Sequence, residues 1–216
     1  MSETSINFGL HPRDTPITTL NGPGYRFALW TQGCGLRCTT QCISPHLLTA
    51  KPRHLLSVDE TLEILDERAR FGQYSIEGIT LLGGEPTDQS EPLAKLARSV
   101  HERGWSVMLY SGYTLSQLQG RKNQSVCDLL SETDILVDGP FQPEYADQHL
   151  RWRGSSNQQI WILSDRYCAE KLAKLPIEKG TDITITHDGR LIISGMQNRE
   201  MVGDLVGVLR RKGLLG

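Results

Sequence analysis

The chain has 216 residues, a formal net charge of −2, 38% hydrophobic residues and 22% charged residues. This composition is typical of a globular protein with a hydrophobic core, and the scattered Lys and Arg argue against a surface for nucleic acid or anionic membranes. No apolar stretch nears the roughly 18 residues of a membrane span, and the N-terminus lacks signal-peptide features, which predicts a cytoplasmic protein.

The first predicted strand follows an irregular lead-in. Residues 1–24 are rich in Thr, Pro, Gly and Asn and predict no regular element. Residues 25–31 are aromatic and apolar with few charges, which predicts a buried strand. A cysteine-rich segment follows directly, so we expect it on the loop that leaves this strand.

Helices and strands then alternate along the chain. Ser57 and Glu60 form a capping box, which predicts the start of a helix. Two more helices are predicted around residues 93–100 and 126–130 by apolar side chains at helical spacing. Further strands are predicted at 78–82, 105–110, 134–137 and 159–163. This alternation favours a parallel α/β sheet.

The pattern changes beyond Pro176. Residues 182–186 and 190–194 flank His187-Asp188-Gly189, which predicts an antiparallel hairpin. A last helix follows, with Met201, Leu205, Val208 and Leu209 on one side. We therefore expect a main α/β domain at 1–175 and a hairpin-helix extension at 176–216 that packs on it.

The cysteine segment predicts a metal centre. Cys34, Cys38 and Cys42 lie within nine residues, and a cytosolic protein keeps its thiols reduced. A structural zinc site normally has four protein ligands, whereas three thiolates on an iron-sulfur cluster leave one iron open. His46 could still complete a zinc site with the three cysteines. Cys127 and Cys168 are distant in sequence, and we expect them in the core.

This segment resembles the cluster loop of the radical S-adenosylmethionine superfamily. In that family three and then two residues separate the cysteines; here the second gap, Thr39-Thr40-Gln41, has three. The resemblance assigns the three cysteines to a [4Fe-4S] cluster and places Gln41 where the family positions the nucleoside. Ser44-Pro45-His46 resembles the Asn-Pro step that follows the third cysteine in relatives.

Gly83-Gly84-Glu85-Pro86 predicts the second half of the site. By itself this motif is typical of a turn after a strand. It follows the strand after the cysteine segment, and the C-terminal ends of barrel strands share one face. It resembles the family's methionine-binding motif, which implies that the Gly83 and Gly84 backbone and the Glu85 carboxylate hold the amino group of S-adenosylmethionine.

Three polar residues next to later strands are weaker candidates. Ser111, in Tyr110-Ser111-Gly112-Tyr113, is either a strand exit or a polar lip over the ribose or carboxylate of the cofactor. Asp138 and Asn157 either face the site or form loop structure such as an Asx turn. Position alone leaves these alternatives open.

Three further stretches resemble glycyl-radical-enzyme activases, in particular those of anaerobic ribonucleotide reductases; they are Asn21-Gly22-Pro23-Gly24-Tyr25-Arg26, Val137-Asp138-Gly139-Pro140-Phe141 and Arg153-Gly154-Ser155-Ser156-Asn157-Gln158. The expected fold is a partial (β/α) barrel of about five to six mostly parallel strands with the C-terminal appendage. The expected reaction is cleavage of S-adenosylmethionine to a 5'-deoxyadenosyl radical that takes hydrogen from a glycine of the partner enzyme. A flavodoxin or ferredoxin is the expected electron donor.

Two alternatives stay open. The first is a radical enzyme that modifies a small molecule or peptide. The second is a non-catalytic iron-sulfur or zinc protein, against which the intact Gly-Gly-Glu-Pro motif argues, since electron transfer alone needs no methionine-binding motif.

Overall fold

The computed structural model of the protein describes residues 5–177, 180–185, 191–195 and 199–213. Its main sheet has eight strands in the order β4-β1-β3-β5-β6-β7-β8, with β2 also paired to β3. The strands are β1 (Ile6–Phe8), β2 (Ile17–Thr18), β3 (Tyr25–Thr31), β4 (His54–Leu56), β5 (Ile76–Gly83), β6 (Ser106–Tyr110), β7 (Ile135–Asp138) and β8 (Gln159–Ile162). The four central strands β3, β5, β6 and β7 run parallel, and the others pair antiparallel. The protein is therefore an α/β protein with a mixed sheet, as the alternating pattern predicts in its centre.

The described helices are α1 (Val58–Phe71), α2 (Ser90–Glu102), α3 (Leu115–Gly120), α4 (Gln124–Ser131), α5 (Ala169–Lys174) and α6 (Arg199–Arg211). Four of them, α1, α2, α4 and α6, lie where the capping box or the apolar spacing predicts a helix, whereas α3 and α5 are not predicted. The predicted capping box begins α1: Ser57 Oγ accepts from the Glu60 amide at 3.1 Å, and Glu60 Oε2 accepts from the Ser57 amide at 2.7 Å. No helix among the described residues is long and apolar enough to cross a bilayer.

Side chains alternate between the two faces of the parallel strands. On one face, Ile79, Leu81, Val107, Leu109 and Leu136 pack with the buried residues of α1, α2 and α4 in the larger core. On the other face, Met108, Ile135 and Val137 pack against Leu172 of α5 and against Tyr167.

Arg26 is fully buried at the beginning of β3. Its guanidinium donates to Thr80 Oγ1 at 2.9 Å, to Ser106 Oγ at 2.8 Å and to three backbone carbonyls, those of Pro23, Ile79 and Ser106. Burial lowers the pKa of this guanidinium, and the nearby Tyr167 opposes the shift. The Gly-Pro-Gly-x-Arg lead-in thus ends in a side chain that joins β3, β5 and β6 near their N-terminal ends.

Three predictions about the fold are wrong in detail. The lead-in is not irregular, because β1 and β2 lie in it; both are too short for an alternating pattern to be visible. The last strand, β8, is antiparallel to β7, since the segment between them forms a short 3-10 turn and no α-helix that could carry a parallel crossover. Cys127 and Cys168 are exposed and not in the core; Cys127 lies between the buried Val126 and Leu129 on α4 and faces away from them.

The predicted C-terminal hairpin strands are present. β9 (Thr181–Ile185) and β10 (Leu191–Gly195) pair antiparallel in a separate two-stranded sheet, with Ile183 opposite Ile193. The expected turn at His187-Asp188-Gly189 lies outside the described residues. The predicted last helix is α6. The division into 1–175 and 176–216 stays a prediction.

Candidate functional site

The cysteine segment forms a loop that is closed at its base. The Gly33 amide donates to the Leu47 carbonyl at 2.8 Å, and the Cys34 amide donates to the Leu48 carbonyl at 3.3 Å. Leu47 belongs to the short 3-10 helix Pro45–Leu47 and is 2% exposed, so it anchors the returning end of the loop in the protein. The three cysteines are thus held between the end of β3 and a buried leucine.

Backbone amides point at the cysteine sulfurs. The Ser44 amide donates to Cys42 Sγ at 3.4 Å. Burial raises the pKa of the Cys34 thiol, and amide hydrogen bonds from Arg37 and Leu36 oppose that rise. Burial also raises the pKa of the Cys38 thiol, which the Phe141 amide opposes, while Cys34 and Cys42 add to the rise. Amide donors of this kind stabilise thiolates that ligate iron-sulfur clusters, so the donor set fits a cluster with one open iron.

The described residues do not form a site for a single metal ion. No group of three His, Cys, Asp or Glu side chains among them could hold one. His46, the candidate fourth zinc ligand, is affected by burial and by Arg53, both of which lower the pKa of its imidazole. This shift favours the neutral imidazole, which is the form that binds metals, so the Cys3His zinc alternative stays a prediction at this point. A cubane cluster places each cysteine on a different iron and needs no such close group.

The longer second gap forms a turn stabilised by its own side chain. Thr39 Oγ1 accepts from the Gln41 amide at 3.1 Å, and Gln41 is exposed. The extra residue is therefore accommodated in a polar turn between Cys38 and Cys42. Gln41 contacts none of the other predicted cofactor-binding residues among the described hydrogen bonds, so its role stays a prediction.

The Gly83–Pro86 turn lies directly against the cysteine loop. The Gly84 amide donates to the Thr31 carbonyl at 2.9 Å, and the Glu85 amide donates to the Gly33 carbonyl at 2.8 Å. A Cβ atom at Gly84 would overlap the Gly33 carbonyl oxygen, and Gly83 has a φ of +111°, a conformation that favours glycine. The two glycines therefore allow the two loops to approach each other at one edge of the sheet.

Glu85 connects this turn to the end of β6. Its carboxylate is 1% exposed and accepts from the Thr87 hydroxyl at 2.6 Å, the Thr87 amide at 3.1 Å, the Ser111 hydroxyl at 2.9 Å and the Gly112 amide at 2.9 Å. Burial raises the pKa of the Glu85 carboxyl, and these hydrogen bonds oppose the rise. Of the predicted site residues, the structure thus brings Glu85 and Ser111 into direct contact. Pro86 is buried beside them and begins the 3-10 helix Pro86–Gln89.

Asp138 and Asn157 make contacts that suit loop structure. The Asp138 carboxylate is 3% exposed and accepts from the Leu115 amide at the beginning of α3. Asp138 lies on the same face of β7 as Leu136, which packs against the helices. Asn157 Nδ2 donates to the Pro140 carbonyl at 2.8 Å, while its Oδ1 is buried without a protein partner. The structure does not bring either residue to Glu85, and their roles at the site stay predictions.

Sequence reasoning missed Asp88 and Gly112, which also join the site. Asp88 Oδ2 accepts from the Gly35 amide at 2.7 Å. A Cβ at Gly112 would overlap the Leu36 side chain of the cysteine loop, so the end of β6 also lies against that loop. The only feature of the sequence that could have pointed to Asp88 is its position as an acidic residue three residues after Glu85.

Comparisons with known proteins agree with this arrangement. The family described as "4Fe-4S single cluster domain" matches residues 20–161. The anaerobic ribonucleoside-triphosphate reductase-activating protein of Vibrio cholerae is 32% identical over 149 residues, 67% of this chain and 92% of that protein. The protein of the same name from Escherichia coli K12 is 31% identical, covering 67% and 93%. The pyruvate formate-lyase-activating enzyme of Staphylococcus aureus is 34% identical, covering 67% and 57%.

Proposed function

The chain belongs to the radical S-adenosylmethionine glycyl-radical-enzyme activases, and from that premise we propose that it activates an anaerobic ribonucleotide reductase-like partner. The observation that carries the proposal is the contact between the cysteine loop and the Gly83–Pro86 turn, through the Glu85 amide and the Gly33 carbonyl. This contact joins the cluster-binding and methionine-binding motifs at the C-terminal ends of parallel strands, where enzymes of related architecture have their active sites.

The bound [4Fe-4S] cluster would supply one electron for reductive cleavage of S-adenosylmethionine, which yields methionine and a 5'-deoxyadenosyl radical able to take a hydrogen atom from glycine. Cys34, Cys38 and Cys42 would each hold one iron and leave the fourth open. The chain's own contribution is to orient the cofactor and to exclude water.

The Gly83–Pro86 turn would bind the methionine part of the cofactor. The backbone of Gly83 and Gly84 and the Glu85 carboxylate suit an ammonium group, since a carboxylate accepts charge-assisted hydrogen bonds. Ser111 supports this role because its hydroxyl donates to Glu85 and so shares the same polar cluster.

The remaining predicted roles are less directly supported. Gln41, exposed between two cysteines, would contact the nucleoside, and Asp138 and Asn157 would border the site from the ends of β7 and β8. Asn157 Oδ1 has a free acceptor position for this, whereas the Asp138 carboxylate already caps α3.

We also propose the setting of the reaction. A flavodoxin or ferredoxin in the cytoplasm would donate the electron, and the partner would be a glycyl-radical enzyme and not a nucleic acid or membrane. The mixed sheet would curve as a partial barrel. The extension at 176–216, which lies outside the family match, would pack on the 1–175 domain.

A radical enzyme that acts on a small molecule or peptide is the second candidate, because residues 176–216 lie beyond the segment shared with the family. A non-catalytic cluster protein is disfavoured by the same contact between the two motifs that supports catalysis.

Anaerobic reconstitution tests the proposal. The wild-type protein with dithionite and S-adenosylmethionine is expected to release 5'-deoxyadenosine and to contain about four irons per chain. Cys38→Ala is the matched control, and release no faster than from that variant would exclude both enzyme functions. A glycyl radical signal in a co-encoded reductase would then separate the activase from a small-molecule enzyme.

A further inference from the structure

Asp88 forms a side-chain hydrogen bond between the two halves of the site. Its Oδ2 accepts from the amide of Gly35, the residue immediately after Cys34, at 2.7 Å. Its own amide donates to the Glu85 carbonyl at 3.0 Å, which fixes it in the 3-10 helix that follows the methionine-binding motif. A carboxylate on one motif therefore holds the backbone of the other.

The neighbouring residue holds the other side of the same cysteine. Gln89 Nε2 donates to the Gln32 carbonyl at 3.1 Å and to the Asn7 carbonyl at 3.0 Å. Asp88 and Gln89 thus contact the chain after and before Cys34, so the 3-10 helix holds this cysteine from both sides. Of the two side chains, only Asp88 carries a charge.

Asp88 also lies in an open cleft beside the cysteine loop. The cleft has a volume of about 470 Å³, and Cys34, Gly35, Arg37 and Asp88 are among its lining residues. Asp88 itself is exposed. A negative charge beside the loop that would hold an iron-sulfur cluster makes addition of an electron to that cluster less favourable, since hydrogen bonding and net charge set the potential of such clusters.

We propose that Asp88 is a positioning residue that retains the cluster through its hydrogen bond to Gly35 and lowers the reduction potential of the cluster through its charge. The proposal rests on the cluster of the proposed function, but on no property of the partner enzyme. Two substitutions separate the hydrogen bond of the carboxylate from its charge. Asn keeps an acceptor oxygen and loses the charge, whereas Ala loses both.

The experiment compares Asp88→Ala and Asp88→Asn with the wild-type holoprotein after anaerobic reconstitution. Two quantities are measured: the rate at which a chelator bleaches the cluster chromophore, and the midpoint potential from a redox titration. Asp165→Ala is the matched control, since Asp165 is an exposed acid beyond β8, near the N-terminal ends of the parallel strands.

We expect the cluster of Asp88→Ala to bleach about tenfold faster than that of the wild-type protein, because the variant loses one charge-assisted hydrogen bond. Asp88→Asn should bleach within about twofold of wild type, because its amide oxygen replaces the acceptor. Both variants should show a more positive midpoint potential, and Asp165→Ala should change neither quantity.

Equal bleaching of wild type and Asp88→Ala, or equal bleaching of the Ala and Asn variants, would overturn the retention role. An unchanged midpoint potential in Asp88→Asn would overturn the charge role. This test does not depend on Asp88→Ala, so it holds even if the Ala variant fails to fold. A wild-type protein that binds no cluster would instead remove the proposed function, so the two failures are distinguishable.

Discussion

The parallel strands have a fully buried arginine at their N-terminal ends and a buried glutamate at their C-terminal ends, and the hydrogen bonds of these two side chains come from different parts of the fold. At the N-terminal ends, Arg26 donates to hydroxyls and carbonyls of β5, β6 and the lead-in. At the C-terminal ends, Glu85 accepts from Thr87, Ser111 and Gly112, which lie in the turns that leave the strands. The hydrogen bonds of Arg26 therefore go mostly to the strands, whereas those of Glu85 come from the loops that follow the strands.

This difference separates stability from function. Removing the Arg26 side chain takes its donors away from hydroxyls and carbonyls of the strands in a fully buried part of the protein. Removing the Glu85 side chain disturbs loops, while the backbone bond from Glu85 to Gly33 remains. We therefore expect the N-terminal ends to govern folding and the C-terminal ends to govern cofactor binding.

The largest expected effect is that of Arg26→Met on folding. Loss of five donated hydrogen bonds should lower the free energy of unfolding by about 3 kcal/mol or more. Urea denaturation of the cluster-free protein measures this. Arg98→Met is the control, because Arg98 pairs with Glu132 at an exposed position and should matter little. An unchanged urea midpoint in Arg26→Met would show that the N-terminal ends of the strands do not govern folding.

Glu85→Ala should act mainly on the cofactor. We expect affinity for S-adenosylmethionine to fall about ten- to a hundredfold, the value of a hydrogen bond to a charged group, with the iron content unchanged. Equilibrium binding to the reconstituted protein and an iron assay measure the two quantities. Loss of the brown chromophore would show that Glu85 holds the cluster and not the cofactor.

Ser111→Ala is expected to have a smaller effect in the same direction. It removes one of the donors to Glu85 and should lower the free energy of unfolding by about 1 kcal/mol, with a few-fold loss of cofactor affinity. Ser131→Ala, which removes an exposed hydroxyl contact on α4, is the control. A larger effect of Ser111→Ala than of Glu85→Ala on binding would identify Ser111 as the direct contact.

The smallest effect is the dependence of stability on pH that Glu85 contributes. Because the pKa of Glu85 is raised in the folded protein, the folded state holds this proton more tightly than the unfolded chain. This contribution is fully present below the unfolded pKa of about 4.3 and is lost as pH rises through the folded pKa. The urea midpoint of wild type relative to Glu85→Gln should therefore fall between acidic and neutral pH; a constant difference would contradict it.

Local patterns were sufficient for the elements that carry the site. The apolar run at 25–31 predicted β3, and the capping box at Ser57 predicted the start of α1, because strand and helix periodicity and the first amides of a helix depend on nearby residues. The order of the cysteines and of Gly83–Pro86 after two strands predicted that both motifs lie at one edge of the sheet.

The tertiary structure decided which side chains meet at that edge. The antiparallel direction of β8, the hydrogen bond from Gly35 to Asp88 and the contact of Asp138 with α3 all join residues far apart in sequence. Neither hydrophobic periodicity nor motif spacing encodes such pairs, since they depend on how the connections between strands pack. The sequence by itself therefore determined the chemistry of the ligands and their place along the chain, and only the fold determined that an acid three residues beyond Glu85 holds the cysteine loop.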